Sequence, residues 1–282
     1  VTMASGEVQD DLQYHGARHQ WDLIDVQEVW RFRELIWMFA LRDLKVRYRQ
    51  TFVGIAWAVI QPLAMMLVFA FFFRISGGKP SDSGLPYAIT ALCGLIPWQL
   101  FASSVTSGTQ SIVINQQLVT KVYFPKIILP LSSVAVALVD FSIAFCMLLL
   151  VMMWYQVVPT VAILLLPLMI VIVVVCSLAV SLWLSALNAI YRDVQYLVPF
   201  MLQIGLLASP TVYDASMVSP QWRWLYSLNP MVGALEGFRW ALLGTTPPAL
   251  APMAISLGCM FAILIGGMIY FRRMERLFSD RI

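Results

Sequence analysis

The strongest constraint on this sequence is a series of long apolar runs: Phe52–Phe73, Pro86–Gly108, Ile127–Trp154, Val161–Leu187, Tyr196–Val212 and Leu250–Phe271. A bilayer core of about 30 Å needs roughly 20 mostly apolar residues per crossing helix. The second run is weaker, interrupted by Pro97, Gln99 and several Ser and Thr. The third is long enough to tilt, Pro167 in the fourth is tolerable in a membrane helix, and the fifth is barely long enough. Composition agrees. Of 282 residues, 60% are apolar and 12% charged, against roughly 25% charged in a soluble domain. A water-facing globule and a disordered chain are both excluded. The four cysteines (Cys93, Cys146, Cys176, Cys259) all lie within apolar runs and read as buried or lipid-facing thiols, not a disulfide scaffold. The expected fold is an all-α polytopic membrane protein with six transmembrane helices.

Residues 213–247 are moderately apolar but carry Asp214, Pro220, Arg223, Asn229, Pro230, Glu236 and Arg239. Were they a seventh span, the cluster Arg272, Arg273, Arg276 and Arg281 would face outward, against the bias of Lys and Arg towards the cytoplasm. With six spans and both termini inside, only Arg74, Lys79, Arg223 and Arg239 of the 18 Lys and Arg fall outside. The segment is therefore expected to be a re-entrant or interfacial excursion on the outer face. Irregular backbone at membrane depth survives only when buried in protein or lining a wet cavity, so it should border a pathway. Net charge is only +3; any function for charge lies in where the charges sit, and no nucleic-acid partner is expected. The expected location is the cytoplasmic (inner) membrane.

Residues 1–25 hold five acids and no apolar core, so they read as a cytoplasmic tail and not a signal peptide. His15 and His19 have the spacing of a metal pair without a third ligand nearby, and no metal site is expected. Residues 26–50 have helical periodicity. Gln27, Arg31, Glu34, Arg42, Lys45 and Arg49 share one arc, and Val29, Phe32, Ile36, Phe39, Ala40 and Leu44 the opposite one. Such a helix suits the membrane surface. Arg33, Asp43 and Arg47 break the pattern, which predicts a kink or an early end. The helix is either a topological anchor or an interface helix that also touches a cytoplasmic partner. The loop from Asn115 to Lys126 is polar, then abruptly apolar; its first part is expected to form a short helix across the membrane surface, ended by Pro125.

Four stretches carry a resemblance. They are Arg47-Tyr48-Arg49-Gln50 leading to Gly54, Trp57 and Gln61-Pro62; Leu118 through Pro130; Leu187-Asn188 with Tyr191-Arg192-Asp193-Val194; and Ser209-Pro210 through Asn229-Pro230 to Glu236-Gly237-Phe238-Arg239-Trp240. In order and spacing the chain from about residue 30 resembles permeases of ABC type-2 exporters, in particular the branch exporting O-antigen, capsule and teichoic-acid polymers. The N-terminal tail lies outside the resemblance. It implies a half-transporter, with two copies forming a homodimer of twelve spans. Two copies of a separate ATPase would dock beneath, against the interface helix, the 109–126 loop and the 188–195 loop. Arg42, Arg49, Asn115, Leu118, Lys121, Tyr123, Arg192 and Asp193 are the candidate contacts. Residues 213–247 would form outer gate helices, with Asn229, Pro230, Glu236 and Arg239 as gate residues. No Gly-x-x-x-x-Gly-Lys-Ser/Thr occurs, so this chain holds no phosphate-cradling loop of that kind; no cofactor is expected in it, and ATP and Mg would sit on the partner ATPase. The chain itself is expected to be non-catalytic.

A polysaccharide presents hydroxyls at ring edges and C–H groups on ring faces, which aromatic side chains with polar handles hold without tight bonds. Weak repeated contacts suit a moving polymer, as in conduction through channels. Tyr196, Phe200, Gln203, Leu207 and Pro210 share one helix face, and Gly54, Trp57, Gln61 and Val68 a similar one. Tyr213, Trp222, Trp224 and Tyr226 cluster at the exit level. Each set has a plainer explanation: an interfacial aromatic belt, Gln as helix–helix glue, or a dimer seam. Membrane lipids contact the chain on either account.

Asp140 is the one acid well inside a run, with hydroxyls nearby (Ser132, Ser133, Ser142) and no local countercharge. Its expected role is a hydrogen bond in the bundle interior, and Glu236 and Arg239 are expected to pair at i, i+3. A lone mid-span acid weakens a proton-driven transporter. The absence of an acid pair in any span-flanking loop weakens an enzyme acting on a lipid-linked sugar. Export of a drug or small lipid by the same architecture is the nearest alternative to a lipid-linked polysaccharide.

Overall fold

The computed structural model describes residues 26–49, 54–75, 86–214 and 217–281. The expected tail 1–25, with His15 and His19, lies outside the described residues, as do Gln50 and Lys79. Among the described residues all regular structure is helical. The helices are α1 (Val26–Arg31), α2 (Arg33–Arg49), α3 (Trp57–Ile75), α4 (Tyr87–Ile114), α5 (Gln116–Lys121), α6 (Ile128–Trp154), α7 (Leu166–Ile190), α8 (Val194–Ala208), α9 (Arg223–Tyr226), α10 (Pro230–Leu243) and α11 (Leu250–Arg281). Five of the helical segments are long and apolar enough to cross a membrane: Gly54–Ile75, Tyr87–Ile114, Ile128–Trp154, Val161–Ile190 and Leu250–Glu275. The run expected as a further span, Tyr196–Val212, forms a helix of 15 residues, about 22 Å at 1.5 Å per residue. Ser209 leaves the helix for extended backbone (φ −111°, ψ 154°), and Pro210 has no N–H to continue it.

α4 is the hub. It packs on α7, α6, α3, α10 and α8, and it is buried along most of its length although it is the least apolar of the five, with mean hydropathy 1.5 against 2.1–3.2 for the others. In hydrocarbon, helices associate through small and weakly polar residues, because lipid already satisfies purely apolar faces. The Ser, Thr and Gly residues that weaken this run as a span thus send it inward. The α4–α7 interface shows how. The Ser181 hydroxyl donates to the Ser104 carbonyl at 3.4 Å and the Asn188 amide to the Thr109 carbonyl at 3.1 Å. A Cβ on Gly108 would stand 2.7 Å from Ser181 Oγ. On the other side of α7, Trp183 stacks on Tyr270 at 4.9 Å and donates from Nε1 to the Ile263 carbonyl of α11 at 2.9 Å. α3, by contrast, buries only Pro62.

The amphipathic segment breaks at Phe32, which separates α1 from α2. α2 lies along α6, burying Phe39 and Ala40. Phe39 meets Phe124 at a ring separation of 5.9 Å. These join Ile112, Val119, Ile127, Ile128 and Phe271 in a core at the α5 end of the bundle. At the opposite end α10 is buried between α4, α7 and α11. Asn229 caps it, its Oδ1 accepting from the Met231 N–H at 3.0 Å, with Pro230 at the first helical position. Gly244 closes it in the left-handed conformation (φ 63°), which glycine adopts without a Cβ clash. Phe238 of α10 meets Phe141 and Phe145 of α6 edge-on, both at 6.2 Å.

Candidate functional site

Two polar clusters, one at each end of the bundle, and two exposed helix faces between them hold the candidate site residues. The cluster at the α10 end is built on the turn that follows α8. A helix leaves its last carbonyls without partners; here the Thr211 hydroxyl donates to the Leu206 carbonyl at 2.7 Å and the Tyr213 hydroxyl to that of Leu207 at 3.1 Å. Tyr226 in turn donates to the Tyr213 hydroxyl at 2.9 Å, and the Asn229 amide to Ser209 Oγ at 2.8 Å. Arg239, 5% exposed, reaches from α10 into this turn. Its Nη1 donates to the Tyr213 carbonyl (3.2 Å) and Asp214 Oδ1 (2.8 Å). Its Nη2 donates to the carbonyls of Pro210 (3.1 Å) and Thr211 (3.2 Å). A planar fork with five N–H donors suits this arrangement of four acceptors. The turn rests on α4 at Gly94, where a Cβ would lie 1.9 Å from the Thr211 carbonyl oxygen. On the far side, Ser256 of α11 donates to the Ser227 carbonyl at 2.8 Å.

This corrects the expected pairing of Arg239 with Glu236. The guanidinium is bonded to Asp214 and to backbone carbonyls instead, because the fold brings the 210–214 turn across it. Glu236 stays within electrostatic reach: burial raises its carboxyl, and Arg239 and Arg223 oppose that shift. Burial is also the main cause that raises the Tyr226 hydroxyl, with the Tyr213 hydrogen bond next.

Between the two ends, α3 and α8 both pack on α4 and turn their other sides outward. Tyr196 (74%), Phe200 (56%) and Leu207 are exposed, as is Gln203, while Val198 and Leu206 face the core. Pro210 departs from the expected stripe: it is buried, because the chain leaves the helix before it. On α3, Trp57 (55%) and Val68 are exposed, with Gln61. Trp222 and Trp224 are exposed beyond the turn, and Tyr213 and Tyr226 are partly covered by each other.

At the α5 end, Lys121, Arg192 and Asp193 are exposed, as is Tyr123, whose hydroxyl donates to Glu28 at 3.4 Å. Arg49 is exposed too, but it follows Arg47 at the far end of α2, beside the middle of α6 and away from this rim. Arg42 lies over the Phe39 ring and pairs with Asp43 at 2.8 Å, and Leu118 packs on the core of this end. Asn115 does not present a surface. It is buried, and its side-chain amide donates to the Ser111 carbonyl at 2.8 Å, so it shapes the corner between α4 and α5. Lys126 binds α11, its Nζ donating to the Glu275 carbonyl at 3.0 Å and its N–H to Glu275 Oε1 at 3.1 Å; burial lowers its ammonium, with Glu275 opposing.

The mid-span acid does have a countercharge. Asp140 Oδ2 accepts from Arg47 Nη1 and Oδ1 from the Tyr48 hydroxyl. Arg47 Nη2 also approaches Ser107 Oγ at 3.4 Å. The hydrogen bonds of Asp140 thus come from α2 and not from the nearby serines; the Ser142 hydroxyl is turned to the Leu138 carbonyl at 2.7 Å. Two anomalies in the sequence, an off-pattern arginine on an amphipathic helix and an acid in an apolar run, explain each other. Burial and the Asp140 bond both raise the Tyr48 hydroxyl, so it stays a donor. Among the described residues no group of three His, Cys, Asp or Glu could hold a metal ion.

The sequence has relatives. The O-antigen export system permease protein RfbA of Myxococcus xanthus is 30% identical over 243 residues, covering 84% of this chain and 92% of that protein. A protein of the same description from Klebsiella pneumoniae is 27% identical over 207 residues, 73% of this chain and 79% of its own length. Residues 34–243 match the ABC-2 type transporter family, which spans most of the helical bundle, and the chain belongs to that family.

Proposed function

We propose that this chain is the non-catalytic transmembrane subunit of an ATP-driven exporter that moves a lipid-linked polysaccharide such as O-antigen across the cytoplasmic membrane. Two copies form the core, and two copies of an ATPase supply the energy. The observation that carries the polymer assignment is the continuous likeness, over 84% of the chain, to a permease described as an O-antigen exporter. The geometry is consistent with it. α3 and α8, both packed on α4, each present an exposed face, with Trp57 and Gln61 on one and Tyr196, Phe200 and Gln203 on the other, suited to a second copy and to a sugar chain passing between copies. The exposed Lys121, Tyr123, Arg192 and Asp193 form a polar rim where an ATPase docks.

In this reading α8 is the sixth crossing, short because the α10 segment dips in to meet it. Both termini are cytoplasmic, and the turn held by Arg239, with Asn229, Pro230 and Glu236, is the outer gate. The decisive experiment is reconstitution of the chain with its ATPase in liposomes. Lipid-linked glycans should stimulate hydrolysis; stimulation by small lipids or drugs alone would refute the polymer assignment. Cysteine labelling that placed Arg272 and Arg273 outside would refute the topology.

A further inference from the structure

Apolar contacts between helices slide; a fully occupied carboxylate inside a bilayer does not. Asp140 lies near the middle of α6, about 18 Å along the helix from Ile128 at 1.5 Å per residue. Both of its oxygens are taken by side chains of α2, and the same arginine reaches Ser107 on α4. We propose that Arg47, Tyr48 and Asp140 form a latch that carries displacement of α2 into the middle of α6, with Asp140 as the positioning residue. This rests on the ATP-driven reading above.

Three observations support the latch. First, α2 meets α6 at two points. Phe39 packs on Phe124 just before the start of α6, and Arg47 and Tyr48 pair with Asp140 in its middle. The points lie about 12 Å apart along α2 and advance in the same direction along both helices. Two fixed points set tilt as well as position, so α2 and α6 move as one lever. Secondly, the ion pair cannot part cheaply. A carboxylate left alone among apolar helices in a bilayer is strongly penalised, so lifting α2 without α6 is opposed. Thirdly, the link is made by side chains that helix periodicity does not require. Arg47 interrupts the arc pattern of its own helix, and an apolar residue at 140 would satisfy the run. Movement imposed on the exposed, cationic side of α2 thus arrives at α6, and through Ser107 at α4, well above the surface where α2 begins.

The test uses the full chain with its ATPase subunit, comparing the parent with Asp140→Asn, Tyr48→Phe and the swap Arg47→Asp with Asp140→Arg. Copurified ATPase, hydrolysis rate, polymer moved per ATP, and a fluorophore on Cys146, exposed on α6, are read with Cys259→Ser present. The latch predicts that Asp140→Asn keeps the ATPase bound and hydrolysing while polymer moved per ATP falls about tenfold, within typical coupling free energies. The nucleotide-driven signal at Cys146 disappears with it. Tyr48→Phe, which keeps the ion pair, loses less, and the swap restores both readouts. Parent-like transport and Cys146 signal in Asp140→Asn would overturn the latch. So would loss of ATPase binding in every variant with no recovery in the swap, which marks a folding contact. A parent complex that moves no polymer but whose Cys146 signal follows nucleotide, and is lost in Asp140→Asn, refutes the cargo and leaves the latch standing.

Discussion

Replacing Gly94 with alanine is the sharpest probe of the outer cluster. The new Cβ would lie 1.9 Å from the Thr211 carbonyl oxygen, 2.7 Å from its carbon and 2.8 Å from its Cα. Backbone cannot rotate away as a side chain can, and ordinary contact begins near 3.4 Å, so something must shift by about 1.5 Å. α4 will not yield, since Ile89, Leu92 and Cys93 are wholly buried around it; the 209–214 turn must. That turn holds the carbonyls of Pro210 and Thr211 at 3.1 and 3.2 Å from Arg239 Nη2, and such a shift breaks at least one of these bonds. Overpacking costs about 1–3 kcal/mol and a lost charged hydrogen bond about 1.5–3 kcal/mol. The expected loss is therefore about 3–5 kcal/mol in reversible unfolding from mixed micelles. Gly258→Ala, with nothing within 4 Å of its Cβ, is the control and should be neutral or stabilising. Because Gly94 and Arg239 act through one turn, Gly94→Ala combined with Arg239→Met should lose clearly less than the sum of the two. A Gly94→Ala protein within about 0.5 kcal/mol of the parent, or strict additivity in the double variant, would refute the reasoning.

Other outcomes follow from the same contacts. Arg239→Met leaves three backbone carbonyls and Asp214 without their donor and should cost about 3–5 kcal/mol; Arg239→Lys, a point charge in place of a fork, should recover only part of that in the same unfolding assay. Ser181→Leu overfills the α4–α7 interface, lowering stability by about 1–3 kcal/mol, whereas the same change at Ser142, exposed on α6, should be nearly silent. Tyr226 titrates above its ordinary value of 10.0 in the fold, so on raising the pH the unfolded chain loses that proton first. Stability from this group is complete below about pH 10 and falls above it; Tyr226→Phe should flatten that part of a stability–pH profile, and an unchanged slope would refute the assignment.

How much of this was legible beforehand differs from residue to residue. The apolar runs are local, and hydrocarbon solvation makes their length decisive, so the long helices and the short helix after Asn115 could be read along the chain. The end of α8 was signalled by Ser209-Pro210, although apolar composition carried the expected span on to Val212. Exposed aromatic and polar residues on α3 and α8 were legible as faces, since helical spacing alone assigns them. Partners distant in sequence were not. Nothing local joins Asp140 to Arg47, and at i, i+3 Glu236 looked the natural mate for Arg239 until the turn carrying Asp214 was folded across it. Asn115 looked like surface because its neighbours are polar, yet the corner it makes is internal.

By itself the sequence determined that the chain is a bundle of membrane helices of the ABC-2 type and that its charges gather at the ends, because burying backbone and charge in hydrocarbon is penalised residue by residue. Only the tertiary structure decided that the least apolar long helix is the hub, that α2 is pinned to the middle of α6, and that one arginine closes the turn after α8. Small residues and partly buried ion pairs gain their energy from a partner distant along the chain, and only packing brings that partner within reach.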